Sequence, residues 1–208
     1  RDGANEAVCR DLVRTTFGLA TPVTTFVAQP PCCGAELGIE LWALGGPDVK
    51  VERFGPDVMA VESDGIRWVY CGGLRGGPGP DGPCAESTRT FQHMREQLAL
   101  AGADFGQVVR TWIYINQITE GPEGGQRYQE LNRARTEFYQ GLRFGTETSA
   151  PWIEGPLYPA STGIGTQGSH MTLCGMAMTS PRSDVFIVPL ESPLQTAAYH
   201  YHAAYSPQ

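Results

Sequence analysis

Residues 101–115 read AGADFGQVVRTWIYI, and this stretch decides the fold. The apolar residues before Gly102 recur at helical spacing, which predicts a helix over residues 86–102. Gly102 ends that helix, because glycine adopts the left-handed backbone that closes a helix without steric cost. The β-branched and aromatic run at 108–115 predicts a strand. The stretch therefore predicts a helix that passes almost directly into a strand.

The same two patterns alternate on both sides of this stretch. Further strands are predicted at 58–61, 66–70, 160–164, 171–178 and 185–188, and a second helix at 127–139. Asp64 and Gly65, between the first two strands, are a hairpin signal. Ser87 or Thr88 is the expected N-cap of the first helix. From Val58 to Met178 the order is β-β-α-β-α-β-β, which predicts an α+β fold with two helices covering one face of a mixed β-sheet.

The beginning of the chain has shorter patterns. We expect a short amphipathic helix over 6–17 and strands over 24–28 and 39–44, each strand stopped by Pro or Gly. Residues 72–83 contain so much Gly and Pro that they predict a surface loop. The chain is accordingly divided into three parts: an N-terminal extension (1–55), a main domain (56–180), and a tail or incomplete second module (181–208).

Composition restricts the classes of function. Of the 208 residues, 41% are hydrophobic and 18% are charged, which excludes wholesale disorder. No run of 18 apolar residues occurs, so no membrane span is expected. The net charge of −7 argues against nucleic acid or an anionic membrane as a partner. Six cysteines without a CxxC spacing and no apolar leader predict free thiols, no metal site and a cytoplasmic protein.

The region 58–178 resembles the YjgF/RidA superfamily, through the helix-to-strand stretch quoted above, the second helix and the Pro159-Ala160 dipeptide. The resemblance implies a chorismate-mutase-like fold and a homotrimer or pseudo-trimer with ligand clefts between subunits. RidA-type enamine/imine deaminases carry an arginine directly after Pro-Ala, where it binds the substrate carboxylate. This chain has Ser161 at that position, and serine has neither a positive charge nor a guanidinium group to bind a carboxylate. Deamination therefore remains an alternative, disfavoured by this residue.

Four stretches resemble the chorismatase branch of that superfamily: 110–114 (RTWIY), 130–136 (ELNRART), 158–165 (YPASTGIG) and 191–201 (ESPLQTAAYHY). The resemblance implies an enzyme that releases pyruvate from chorismate and leaves a hydroxybenzoate or dihydroxycyclohexadiene carboxylate, without metal or cofactor. In that family a second RidA-like module supplies the carboxylic acid that protonates the substrate. We expect this general acid beyond residue 208, so that no catalytic residue is assigned here. A catalytically silent ligand-binding or assembly protein is the other alternative.

A cleft for chorismate, which carries two carboxylates, needs arginine guanidinium groups and hydroxyl donors. Strand alternation places Arg110 on the same side as Trp112, where its guanidinium can bind a carboxylate; a structural ion pair is the other interpretation. The resemblance assigns hydrogen-bonding roles to Tyr158, Thr162 and Tyr199, although Tyr158 also suits an amphipathic core tyrosine. We expect Arg110, Tyr158, Thr162 and Tyr199 to converge on one polar pocket.

Overall fold

The fold is an α+β arrangement, as predicted. A computed structural model describes residues 3–77, 79, 81–121, 125–145, 148–190, 192–194, 196 and 201–202. Its elements are α1 (Gly3–Phe17), β1 (Lys50–Arg53), β2 (Val58–Ser63), β3 (Ile66–Leu74), α2 (Gly82–Leu100), β4 (Val108–Asn116), α3 (Arg127–Tyr139), β5 (Ala160–Thr166) and β6 (Thr172–Thr179). From Val58 onward they follow the predicted order β-β-α-β-α-β-β.

The six strands form one mixed sheet in the order β1-β2-β3-β6-β4-β5. β4 and β5 are parallel, and the other neighbouring strands are antiparallel. A parallel pair needs a crossover connection, which here contains α3. The hairpin between β2 and β3 turns at Asp64 and Gly65, whose φ angles are 50° and 69°. Glycine suits this left-handed backbone, so the hairpin signal is confirmed.

The helices α2 and α3 cover one face of the sheet. Their apolar side chains pack against alternate strand residues that are almost fully buried. This helix-covered face includes Val58, Val69, Ile113 and Leu173 from the strands, and Phe91, Met94, Leu98 and Leu131 from the helices. Gly175, on the same face, lies so close to Met94 that an added Cβ would be 2.4 Å from the methionine Cε. The helical spacing that predicted the two helices thus reflects burial on this face.

The alternate strand residues form a second face, termed the open face, which α2 and α3 do not cover. It contains Trp68, Tyr70, Arg110, Trp112, Tyr114, Thr162, Cys174 and Met176. Along β4 the side chains of Arg110, Trp112 and Tyr114 are half-buried, and those of Thr111, Ile113 and Ile115 are buried. This alternation is the one that the sequence predicts.

The beginning of α2 differs from the prediction. The helix begins at Gly82 after an N-cap at Asp81, with a proline in its first turn, where a missing N–H costs nothing. Ser87 and Thr88 are not caps, because each hydroxyl donates to the carbonyl four residues earlier within the helix. The predicted loop is also shorter than expected, since β3 continues to Leu74.

Three of the predicted strands are absent. Residues 24–28 and 39–44 have no regular secondary structure and no strand partner, and 185–188 contributes only a single bridge between Ile187 and Ser149. A strand requires a neighbouring strand to satisfy its backbone groups, and local composition does not report whether one is available. The segment assigned to the N-terminal extension contains one strand instead, β1, which pairs with β2.

No helix in the described part of the chain is long and apolar enough to cross a membrane.

Candidate functional site

Arg110 is held on the open face by two neighbours. Its Nη2 donates to the hydroxyl of Thr162 at 2.5 Å, and its guanidinium lies 4.9 Å from the centroid of the Trp112 ring. The parallel register of β4 and β5 produces this contact, because it sets Thr162 beside Trp112. Within the described ranges Arg110 forms no ion pair, whereas Arg67 and Arg182 are ion-paired at 2.9 and 2.6 Å. The interpretation of Arg110 as a structural ion pair therefore finds no support among these residues.

This arrangement suits the binding of an anion. A guanidinium has five N–H donors. Thr162 accepts a hydrogen bond from only one of the five on Arg110. The remaining donors are enough in number for a two-pronged bond to a carboxylate. Contact with the Trp112 ring limits the orientations of the fork, which reduces the entropy lost when an anion binds.

The N-terminal extension supplies a covering segment, residues 21–44, which crosses the open face. The backbone N–H of Gly73 donates to the Thr25 hydroxyl at 2.9 Å, and the N–H of Gln167 donates to the Ala28 carbonyl at 2.9 Å. Trp42 meets Trp112 edge to face, with ring centroids 6.1 Å apart. The sequence analysis assigned strands to this segment and missed its contacts with the site, because the partners lie more than 45 residues further along the chain.

Two titratable groups beside Arg110 stay neutral at physiological pH. Burial raises the pKa of the Tyr114 hydroxyl, and the neighbouring Cys174 and Glu40 raise it further. Burial also raises the pKa of the Cys174 thiol, although hydrogen bonds with Thr25 and Tyr114 act in the opposite direction. The phenol of Tyr114 therefore remains a hydrogen-bond donor, and the half-buried Cys174 is a neutral thiol rather than an activated nucleophile.

Of the four predicted binding residues, the structure brings Arg110 and Thr162 together. The Tyr158 ring instead stacks on Tyr139, with centroids 6.2 Å apart and planes 7° apart, and it also contacts Phe144 at 5.3 Å. Phe144 belongs to the helix-covered core and Tyr139 packs against it, so that the Tyr158 ring lies with that core rather than beside Arg110. Convergence of Tyr158 with Arg110 is therefore not seen within one chain.

Tyr199 lies outside the described residues, and its role stays a prediction.

The residue after Pro159-Ala160 has a structural contact. The Ser161 hydroxyl accepts a hydrogen bond at 2.9 Å from the hydroxyl of Thr111, which is completely buried. This contact joins β4 to β5 on the side opposite Arg110, so that Ser161 ties two strands together. Its neutral hydroxyl provides no charge for a carboxylate.

The carboxylate of Glu86, whose side chain is 12% exposed, lies near the beginning of α2 and was missed by the sequence analysis. One oxygen of Glu86 accepts from the backbone N–H of Met171 at 3.0 Å. Arg127 and His170 approach the same carboxylate at 3.8 and 3.7 Å. The contacts join α2, the first turn of α3 and the connection between β5 and β6. No local sequence pattern predicts these contacts, because the partners come from three separate segments.

The described residues contain no group of three His, Cys, Asp or Glu side chains that could hold a metal ion.

Comparison with known structures finds similar folds in proteins of low sequence identity. Rv2704 of Mycobacterium tuberculosis, a member of the YjgF/YER057c/UK114 family, is 19% identical, with 58% of this chain and 84% of that chain covered and a TM-score of 0.41. The YjgF gene product of E. coli is 12% identical, with 59% and 86% covered and a TM-score of 0.43. Yeast Mmf1 is 14% identical, with 76% and 96% covered and a TM-score of 0.41. No curated protein matches the sequence.

A family model gives the more specific result. The model described as "Chorismatase FkbO/Hyg5-like, N-terminal" matches residues 57–177, which is more than half of the chain. This match confirms both the superfamily resemblance and its chorismatase branch. The matched region contains β4 with Arg110, and β5 with Thr162. The chain belongs to the family of FkbO/Hyg5-like chorismatase N-terminal domains.

Proposed function

We propose that this domain binds chorismate as part of a chorismatase-like enzyme that releases pyruvate and leaves a hydroxybenzoate or dihydroxycyclohexadiene carboxylate. The observation that supports the proposal most directly is the placement of the Arg110 guanidinium. It lies over Trp112, donates to Thr162, and forms no ion pair with any carboxylate in the described segments. A small dianion needs such a cation at the edge of an apolar surface, because its charge must be matched when water is removed.

The proposed hydrolysis needs a proton donor and a water molecule. Protonation of the enol ether makes the pyruvyl carbon electrophilic, water adds to that carbon, and the bond from it to the ring oxygen breaks. The products are pyruvate and the dihydroxycyclohexadiene carboxylate, which keeps the ether oxygen as a hydroxyl. Loss of its other ring hydroxyl as water would give the hydroxybenzoate. A carboxylic acid with a raised pKa suits the protonation, and from the family resemblance we expect that acid beyond residue 208. In this scheme Arg110 binds a substrate carboxylate, and Thr162 holds the guanidinium and offers its hydroxyl to the ring substituents.

The cleft is completed by a second module or by further copies of the chain, as a homotrimer or pseudo-trimer. Such an assembly offers a role for Tyr158, whose side chain is 61% exposed in a single chain. An exposed phenol at a chain surface can donate a hydrogen bond into a cleft shared with a neighbour. Tyr199 keeps its expected role as a second phenol donor.

The test uses the chain with chorismate in two parallel measurements. Titration calorimetry measures binding, and a coupled lactate dehydrogenase assay measures released pyruvate. We expect saturable binding, and pyruvate release once a second RidA-like module is supplied in trans or in one longer chain. Binding without release under both conditions would assign the silent ligand-binding role. Ammonia release from an imino acid, with no chorismate binding, would instead support a deaminase.

A further inference from the structure

Trp42 lies beside the Arg110 site without belonging to the region that the family model matches. It comes from the covering segment, and its ring makes an edge-to-face contact with Trp112, the residue that lies beneath the Arg110 guanidinium. Trp42 nevertheless remains 60% exposed. A large apolar ring is thus presented to solvent next to a cation that has spare donors.

Glu40 holds the Trp42 indole in place. The indole Nε1–H donates to the Glu40 carboxylate at 2.7 Å, a charge-assisted hydrogen bond across two residues of the same segment. The Glu40 charge also acts on Tyr114 and Cys174, where it raises both pKa values, so that this carboxylate lies close to the open face. The segment has no regular secondary structure here, and this hydrogen bond limits the rotation of the ring.

We propose that Trp42 is the wall against which the ring of a bound carboxylic acid packs, and that Glu40 is its positioning residue. Trp42 thereby selects acids that carry a planar or nearly planar ring over acyclic acids of the same charge. This inference rests on the proposed function, because it assumes that Arg110 binds the carboxylate of the ligand.

The physical reason is that the two contacts recognise different parts of one ligand. Arg110 can bind any carboxylate, and therefore cannot by itself distinguish a ring acid from an acyclic one. An aromatic wall adds stacking and buried apolar area only for a ligand with a ring, at a low entropic cost because an indole has few rotatable bonds. Removing the wall should therefore lower the affinity for ring acids alone.

The test compares two non-reacting monoanions, 3-hydroxybenzoate and crotonate, by titration against wild-type protein and variants. We expect Trp42→Ala to weaken 3-hydroxybenzoate binding about two- to tenfold and to leave crotonate binding unchanged. The affinity of Trp42→Phe for 3-hydroxybenzoate should lie between those of wild type and Trp42→Ala, because phenylalanine keeps a smaller ring. The matched control is Trp152→Ala, since Trp152 is similarly exposed but packs on Phe186, and it should change neither affinity.

The role of Glu40 is tested by the ratio of the affinities for 3-hydroxybenzoate and crotonate. Both ligands are monoanions, so that loss of the Glu40 charge changes both affinities alike and leaves their ratio unaffected. Glu40→Ala should reduce the preference for 3-hydroxybenzoate, whereas Glu40→Gln should retain it, because an amide oxygen still accepts from the Trp42 indole. An unchanged ratio in Trp42→Ala, while Arg110→Lys weakens both acids, would overturn this inference and leave the proposed function standing. If wild-type protein bound neither acid nor chorismate, the proposed function would fall and this inference with it.

Discussion

The two faces of the sheet are built from the same strands but in different ways. On the helix-covered face, regular helices bury aliphatic and aromatic side chains, and Phe91, Phe105, Phe138 and Tyr139 form a cluster of ring contacts. On the open face, half-buried polar and aromatic side chains meet an irregular segment through single hydrogen bonds and one ring contact. The comparison indicates that the helix-covered face provides stability, and under the proposed function the open face provides the ligand contacts.

The physical basis of this division is solvent exposure. Close packing against helices leaves no room for a ligand, and burial of a cation there would be costly without a partner. A loosely covered face tolerates Arg110 half-buried and without an ion pair in the described chain, since water or a ligand can reach it. Substitutions on the two faces should therefore have separable effects on folding and on binding.

The largest expected effect concerns the helix-covered face. Phe91→Ala should lower the free energy of unfolding by about 3–5 kcal/mol, because the ring is completely buried and its removal leaves a cavity. Urea denaturation followed by circular dichroism measures the loss. Leu100→Ala, at an exposed position of the same helix, is the control and should cost under about 1 kcal/mol. A similar small loss for Phe91→Ala would break the comparison.

The next effect concerns binding on the open face. Arg110→Lys keeps the charge but loses the fork, and should weaken chorismate binding by about 1–3 kcal/mol. Its free energy of unfolding should change by less than about 1 kcal/mol, because only the bond to Thr162 and the ring contact are affected. Calorimetry and urea denaturation measure the two quantities. Arg95→Lys is the matched control, since Arg95 also lies over a ring, that of Phe138, on the outer side of α2. Equal affinities of wild type and Arg110→Lys would remove Arg110 from the site.

A smaller effect is expected where the covering segment is attached. Thr25→Val keeps the side-chain shape but removes the acceptor for the Gly73 N–H, and should lower the free energy of unfolding by about 1 kcal/mol. Hydrogen exchange at Gly73 should accelerate in the variant. The control Thr21→Val removes a hydroxyl that donates to Gly18 at an exposed position. If both variants behaved alike, the hydrogen bond to Gly73 would not anchor the segment.

The smallest effect concerns the attachment of α1. Glu6 of α1 forms an ion pair with Arg75, and Arg75 also donates a hydrogen bond to Thr172 on β6. Burial alone would raise the pKa of Glu6, but hydrogen bonds and charges from Arg10 and Arg75 outweigh it and lower the pKa. A carboxyl whose pKa is lowered by folding adds stability above its ordinary pKa, and this stability is lost as pH falls through the lowered value. Glu6→Gln should therefore cost about 0.5 kcal/mol at pH 7, and the cost should shrink as the pH falls below the ordinary pKa of the carboxyl. A cost independent of pH would contradict an electrostatic tie.

The elements of the main domain were predictable because their patterns are strong and local. The 3–4 spacing of Phe91, Met94 and Leu98 and the alternation along 108–115 each report directly which side of an element is buried. The strand predictions at 24–28 and 39–44 were wrong for a related reason. Thr25 and Trp42 contact the open face without joining the sheet, and Ile39 and Leu41 remain exposed, so that apolar composition alone did not report a strand.

The site was predictable only in part. Alternation placed Arg110 beside Trp112, and the family resemblance selected Thr162, which contacts it. The contacts of Trp42, Glu40 and Glu86 could not be predicted, because they join segments that meet only after folding. Tyr158 was expected beside Arg110, but its ring packs with Tyr139 instead, since the end of α3 brings an aromatic surface to it.

The sequence by itself determined the order of the helices and strands, the side of β4 that carries Arg110, and the family. Each of these depends on residues close together in the chain, whose spacing repeats with the period of a helix or a strand. The tertiary structure alone decided the parallel register that joins Arg110 to Thr162, and the path that brings Trp42 to Trp112. Such contacts depend on which elements become neighbours, and this is settled by the packing of the whole chain rather than by any local pattern.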